Sequence, residues 1–239
     1  MMAIILAGGL GTRLKPFTVT IPKPLLPLGN VPILEVVVQQ LSAAGVKRIV
    51  LTLGHMAPFF TAFLDSWAPE NVKIEYCIEK SPLGTAGSLA LIQDLEDDFI
   101  VMNGDILTTL DFGDLFSVHM EKNAWGTIAL SRRDVNIDYG VVESTEDNLL
   151  KSYIEKPSMP YYVSMGINVL TRRCLEYIPA GQKFDMPQLM SAMKDAGRSV
   201  VCYKTDCYWQ DIGRFDDYQQ ASEDFDKAPE RFMPQSKGA

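Results

Sequence analysis

Apolar residues in this chain come in short runs separated by polar or glycine-rich breaks. Ala3 to Leu6 is one such run and predicts a buried strand. Similar runs predict strands over Arg48 to Leu53, Lys73 to Ile78 and Phe99 to Met102. Helical spacing fills the intervals. Pro32 suits the first turn of a helix running to Ala44, with Gly45 as its stop. Further helices are expected from Pro58 to Leu64 and from Thr85 to Leu91. This alternation predicts an α/β fold, a doubly wound mixed but mostly parallel sheet flanked by helices. Later residues are less regular. Strands are expected over Thr127 to Leu130, Tyr139 to Glu143, Leu149 to Ile154 and Tyr162 to Leu170. Helices are expected over Arg172 to Tyr177, Pro187 to Ala196 and Phe215 to Phe225. From Asp226 to Ala239 the chain is polar and aperiodic, and should fray.

The break after the first strand carries the chemistry. It reads Leu6-Ala7-Gly8-Gly9-Leu10-Gly11-Thr12-Arg13-Leu14, and Pro22-Lys23-Pro24 follows. Glycines let backbone N–H groups approach phosphate oxygens, and two cations can neutralise charge there. A P-loop would need G-x-x-x-x-G-K-[ST], which is absent. A dinucleotide fingerprint would need a glycine where Leu14 stands. Lys15-Pro16 and Ile21-Pro22-Lys23-Pro24 forbid a regular helix, so an extended loop is expected from about Gly8 to Asn30. Loops of that length in compact domains are usually functional. This one reads as a polyphosphate site.

Composition narrows the partners. A formal charge of −8 and a pI near 4.8 argue against nucleic acid. No apolar run reaches membrane-spanning length, and no basic region precedes the first apolar run as in a signal peptide. Cys77, Cys174, Cys202 and Cys207 lack zinc or redox spacing and read as reduced thiols of a cytoplasmic protein. His55 and His119 stand in no motif and read as structural. An apolar content of 47% over 239 residues supports one sizeable core.

The glycine run with its Pro-Lys-Pro resembles the signature of the sugar-1-phosphate nucleotidyltransferases. Further matches are Pro82-Leu83-Gly84-Thr85-Ala86-Gly87, Asn103-Gly104-Asp105, Tyr139-Gly140-Val141-Val142, Glu155-Lys156-Pro157, Gly166-Ile167-Asn168 and Trp209-Gln210-Asp211-Ile212-Gly213. They keep family order from residue 3 to about 225. The resemblance is greatest to short mannose- or heptose-1-phosphate guanylyltransferases without a C-terminal β-helix. It implies a Rossmann-like nucleotidyltransferase fold in one domain over 1–225, the nucleotide-binding part at about 1–110 and the sugar-phosphate-binding part at about 111–225. It also implies transfer from an NTP to a sugar 1-phosphate, giving NDP-sugar and pyrophosphate.

Roles follow by the same resemblance. Asp105 and Asp211 would hold Mg²⁺, a hard cation that takes oxygen ligands. Arg13 and Lys23 would neutralise the triphosphate and the transition state, with Asp105 beside them in catalysis. Lys23 is expected to matter to rate more than to folding. Leu6, Ala7, Gly8, Gly9, Gly11, Thr12, Arg13, Glu79, Gly84, Thr85 and Asn103 would bind the nucleotide. Gly140, Glu155, Lys156 and Asn168 would bind the sugar phosphate, with Gly140 letting a hydroxyl approach the backbone. Glu79 can only accept hydrogen bonds. Guanine offers adjacent donors at N1 and N2, so Glu79 favours GTP. Trp209 reads as a core aromatic. UTP, dTTP or CTP as donor, CTP with phosphocholine, a non-catalytic nucleotide-sugar-binding subunit and a homo-oligomer stay open at this stage.

Overall fold

The computed structural model describes residues 1–234 apart from Leu10 and His55. The reading of His55 as structural and of 235–239 as frayed therefore lies outside the described residues. In chain order the elements begin with β1 (Met2–Leu6). A loop follows, folded into 3-10 turns at Thr12–Leu14, Phe17–Val19 and Lys23–Leu25. Then come β2 (Pro27–Leu28), β3 (Val31–Pro32), α1 (Ile33–Ala43), β4 (Arg48–Leu53), α2 (Ala57–Trp67) and β5 (Lys73–Ile78). The short α3 (Gly84–Gly87) runs into a 3-10 turn at Ser88–Leu91, followed by β6 (Asp98–Asn103), β7 (Ile106–Thr108) and α4 (Phe112–Glu121). The second part has β8 (Gly126–Asn136), β9 (Val141–Ser144), β10 (Leu150–Ile154), β11 (Ser158–Thr171) and a 3-10 segment Arg172–Tyr177. It ends with α5 (Met186–Asp195), β12 (Val200–Thr205), β13 (Trp209–Asp211), α6 (Phe215–Lys227) and a 3-10 turn Pro229–Arg231.

Seven strands form one sheet in the order β12-β8-β11-β6-β1-β4-β5. Only β11 runs antiparallel to its two neighbours; the other pairings are parallel. This is the mixed, mostly parallel sheet expected from the alternation. Successive side chains of a strand point to opposite faces, and both faces are apolar. Ala3 and Ile5 of β1 pack with α1, α2 and α6, whereas Met2 and Ile4 pack with α3 and α5. That double burial explains the continuous apolar runs. Among the described residues no helix is long and apolar enough to cross a membrane.

The structure corrects three expectations. Residues 226–234 do not fray. Phe232 is 1% exposed and packs on Tyr208 and Phe225, with ring centroids 5.1 Å and 5.8 Å away. Burying one phenylalanine stabilises by about 1.5–3 kcal/mol, which anchors this short turn. The helix expected over Thr85 to Leu91 is one α-turn followed by 3-10. Finally, the structure adds α4 and β12, which the apolar pattern does not predict. Asp111 caps α4 by accepting from the Asp114 N–H at 2.9 Å. Phe112, Leu115 and His119 follow at helical spacing on its buried face.

Candidate active site

Because β1, β4, β5 and β6 are parallel, their carboxyl ends share one edge. Ligands of open α/β sheets bind beyond that edge. The ladder continues past the strand ends: Ala7 N–H donates to Thr52 O at 3.0 Å, Glu79 N–H to Leu53 O at 2.8 Å and Gly104 N–H to Leu6 O at 3.0 Å. Gly8, Glu79 and Asp105 are thereby fixed around one cavity of about 450 Å³. Its lining holds every expected nucleotide-binding residue: Leu6, Ala7, Gly8, Gly9, Gly11, Thr12, Arg13, Glu79, Gly84, Thr85 and Asn103. Lys23, Asp105 and Gly213 complete the charged end.

The loop is held by its own short-range bonds. Gly11 adopts φ 58°, a left-handed conformation that glycine takes at little cost. Its carbonyl accepts from Thr18 Oγ1 at 2.8 Å and from the Leu14 N–H at 3.0 Å. Leu14 is buried beneath, so the neighbouring Arg13 lines the cavity. Lys23 is 8% exposed, and its ammonium is ion-paired with Asp105 Oδ2. Pro24 presses on the next turn, where a Cβ on Gly104 would lie 3.3 Å from Pro24 Cγ and 3.1 Å from Ile5 Cγ2.

Asp105 and Asp211 come together through a small antiparallel pair. Ile106 of β7 faces Asp211 of β13, and Ile212 N–H donates to Asp105 O at 3.0 Å. Asp105 Oδ1 is buried with no hydrogen-bond partner among the described residues. Burial pushes the Asp211 carboxyl above its ordinary value, and the charge of Asp105 adds to this; Lys23 and Arg13 pull the other way. An orphaned buried carboxylate oxygen beside a destabilised second carboxylate is a fit for a hard cation. Among the described residues no group of three or more His, Cys, Asp or Glu side chains is arranged to hold a metal. Two carboxylates leave coordination positions for substrate phosphate and water, as Mg²⁺ prefers.

Gly84 and Thr85 are locked from across the cleft. Gly84 has φ 78°, and a Cβ there would stand 2.7 Å from Phe184 O. Thr85 N–H donates to Asp185 Oδ1 at 3.0 Å, and Thr85 Oγ1 accepts from the Met186 N–H at 2.7 Å. Thr85 thus ties the first part of the chain to the start of α5. Glu79 Oε2 accepts from the Leu83 N–H at 3.1 Å, and Oε1 has no protein donor among the described residues.

A second cavity of about 530 Å³ adjoins the first, sharing Leu6, Thr85 and Asn103. Asn168 and Asp211 line it, together with Met165, Met186, Met190 and Trp209. Trp209 is more than the core aromatic expected of it. It packs against the core and also walls this cavity, its Nε1–H donating to Met165 O at 2.9 Å. The methionine wall has no sequence signal beyond scattered methionines; β11 brings Met165 and α5 brings Met186 and Met190 to it.

The other sugar-phosphate candidates stand elsewhere. Gly140, Glu155 and Lys156 flank the β9–β10 hairpin and line neither cavity. The backbone of Gly140 is not open as expected: the Tyr153 hydroxyl stands where a Cβ on Gly140 would go. Lys156 is held at φ 44°, a left-handed conformation uncommon for a residue with a side chain. His119 is buried between Thr127 Oγ1 at 2.9 Å and Asp98 Oδ1 at 3.1 Å. Burial lowers its pKa, and it lines neither cavity, in keeping with a structural role.

Comparison with known proteins gives the family of this chain. A family model described as nucleotidyl transferase matches residues 2–228. A mannose-1-phosphate guanyltransferase of Schizosaccharomyces pombe is 34% identical over 227 residues, covering 91% of this chain and 62% of that protein. A UTP–glucose-1-phosphate uridylyltransferase of Synechocystis sp. is 32% identical over 241 residues, covering 92% and 62%. The crystal structure of HddC from Yersinia pseudotuberculosis complexed with GMP-PN superposes with a TM-score of 0.73 at 29% identity, covering 94% of this chain and 99% of that one. The chain spans about 62% of the length of these two curated relatives.

Proposed function

This chain belongs to the nucleotidyl transferase family, and from that premise we propose that it transfers a nucleotidyl group from GTP to a mannose- or heptose-type sugar 1-phosphate. A phosphate oxygen of the sugar attacks the α-phosphorus of the NTP. The bond from that phosphorus to the pyrophosphate breaks as the new one forms. The attacking group is already an anion, so no general base is needed. The observation that carries this reading is the convergence of Arg13, Lys23 and Asp105 at one end of a glycine-lined cavity with Asp211 beside them in the adjoining one. Such transfer depends on positioning and charge neutralisation.

The residues divide the work by position. Backbone N–H groups of Gly8, Gly9, Gly11 and Thr12 cradle the triphosphate, while Arg13 and Lys23 neutralise charge that develops on it. Nucleotidyl transferases generally use a divalent metal; we assign Mg²⁺ to Asp105 and Asp211, where it would neutralise the reacting phosphates. The second cavity takes the sugar, with Asn168 offering a buried amide. Lys156, which lines neither cavity, is assigned to the sugar phosphate on its Glu-Lys-Pro motif. Glu79 reads the base, Oε1 and a remaining lone pair on Oε2 accepting from guanine N1–H and N2–H₂. The guanylyltransferase relative and the GMP-PN in HddC support GTP, whereas the uridylyltransferase relative makes UTP the comparison to run.

The test measures pyrophosphate release and kcat/KM with GTP and UTP for wild type and Glu79→Gln. The variant places an amide donor against a guanine donor, a mismatch of about 1–3 kcal/mol. It should lose roughly 5- to 150-fold with GTP and less with UTP. A wild-type preference for UTP, or an unchanged GTP-to-UTP ratio in the variant, would remove Glu79 from base reading. No pyrophosphate release with any pairing of four NTPs and a panel of sugar 1-phosphates would remove the enzymatic reading itself.

A further inference from the structure

The first turn of α6 touches both halves of the charged site without lining it. Asp217 Oδ2 accepts from the Arg214 N–H at 2.8 Å, which caps the helix. Its other oxygen, Oδ1, accepts from Gln210 Nε2 at 3.1 Å. Gln210 lies between Trp209 and Asp211 in β13, so this bond pins the strand that carries a metal-ligand candidate. On its other side α6 holds the phosphate loop. Phe17 stacks on Phe215 at 5.9 Å with an interplanar angle of 8°, and Tyr218 OH donates to Pro27 O at 2.7 Å. Gly213 joins strand to helix at the point where three charges converge. A Cβ on it would lie 3.1 Å from Asp211 Oδ2, 3.5 Å from Arg13 Nη1 and 3.5 Å from Asp217 Oδ2. Among the described residues Arg13 has no ion-pair partner within 4.0 Å, and its charge acts on Asp211 without direct contact.

We propose that Asp217 and Gln210 are positioning residues that hold Asp211 and Arg13 in register, coupling the metal-ligand strand to the phosphate loop through α6. Neither touches substrate. The proposal rests on the reading of Arg13 and Asp211 given above. A helix cap alone would explain the Arg214 bond. It would not require the second bond to Gln210, which adds nothing to the helix.

The experiment separates the two. Gln210→Leu removes the strand bond and leaves the cap. Asp217→Asn cannot accept from both Gln210 and Arg214. The double variant Gln210→Glu with Asp217→Asn reverses the donor and restores both bonds at unchanged net charge. Mn²⁺ binding is measured by electron paramagnetic resonance with the αβ-methylene analogue of GTP, and melting temperature is measured alongside. Gln210 is the strand neighbour of Asp211 and does not bond its carboxylate, so the expected loss is about tenfold, the lower end of the roughly 10- to 100-fold that loss of a direct partner of a metal ligand costs. Each single variant should lose that much at near wild-type melting temperature, and the double variant should recover most of it. Wild-type Mn²⁺ affinity in Gln210→Leu, or a loss that follows melting temperature and is not restored in the double variant, would overturn the proposal. Failure of the functional reading looks different: wild type would bind Mn²⁺ and the analogue yet transfer nothing to any sugar 1-phosphate.

Discussion

The phosphate loop and the β9–β10 hairpin are both irregular, and both carry a lysine assigned to a phosphate, yet they are built on opposite terms. Lys23 is 8% exposed and ion-paired, on a loop pinned to β1, β6 and α6. The hairpin pairs only with itself. Its side chains stand in water: Tyr139 is 80% exposed, Leu150 69% and Tyr153 62%. An isolated two-stranded hairpin is marginally stable at best, so Lys156 lacks the core support that Lys23 has. On the roles proposed above, the difference puts the catalytic charge where the core can hold it, and affinity where the chain can yield. Mutations in the loop should therefore change rate and stability together. Mutations in the hairpin should change affinity alone.

The largest expected effect lies at Asp211. Asp211→Asn should abolish turnover and at the same time stabilise the metal-free fold. The sign follows from the raised carboxyl. A carboxylate whose folded pKa exceeds its unfolded value, about 3.9, favours folding only while protonated. That contribution is present below the unfolded value and is lost as pH rises through the folded one. Near neutral pH ionised Asp211 thus destabilises the metal-free protein, and the neutral amide removes the cost. Thermal melts in chelator between about pH 4 and pH 8 should show the variant melting higher, with the gap closing towards acid. Equal melting temperatures throughout would contradict the burial argument.

Next comes Lys23→Ala. A cation on developing charge is worth on the order of 10²–10³ in rate, and kcat should fall by that much. The expectation that folding would be spared is revised by the structure. Removing Lys23 leaves Asp105 without its partner, an uncompensated carboxylate that costs about 1–3 kcal/mol. Urea denaturation should detect that loss. A tenfold or smaller drop in kcat would take Lys23 out of the transition state.

The smallest effect is expected at Lys156→Ala. KM for the sugar phosphate should rise roughly 10- to 100-fold, the worth of one hydrogen bond to a charged group. The melting temperature should move by no more than about 2 °C, as for surface substitutions generally. A rise in KM confined to the NTP would reverse the assignment, and a large fall in melting temperature would erase the contrast between the two regions.

Local pattern was enough for much of this protein. The strands Arg48–Leu53 and Lys73–Ile78 match the expected ranges end to end; β4 is an interior strand buried from Ile49 to Leu53, while β5 lies at the sheet edge and carries Lys73 and Glu75 between its apolar residues. The prolines that forbid a helix over residues 15–24 do so through covalent geometry that no tertiary context can undo; only short 3-10 turns form there. Most of the first cavity's lining stands out in the sequence, since glycines and cations at strand ends mark themselves locally, but Thr52 and Ser88 also line it and carry no such mark. Other features depended on residues far apart in the chain. Asp105 and Asp211 meet only through the β7–β13 pairing, Thr85 is bound by Asp185, and Phe232 is buried by Tyr208 and Phe225. The space over Gly140 is taken by Tyr153, which no pattern around Gly140 announces. Period and turn chemistry arise from the backbone of neighbouring residues and are written in the sequence. Charge pairing, burial and the filling of space depend on which distant side chains arrive, and the tertiary structure alone decides that.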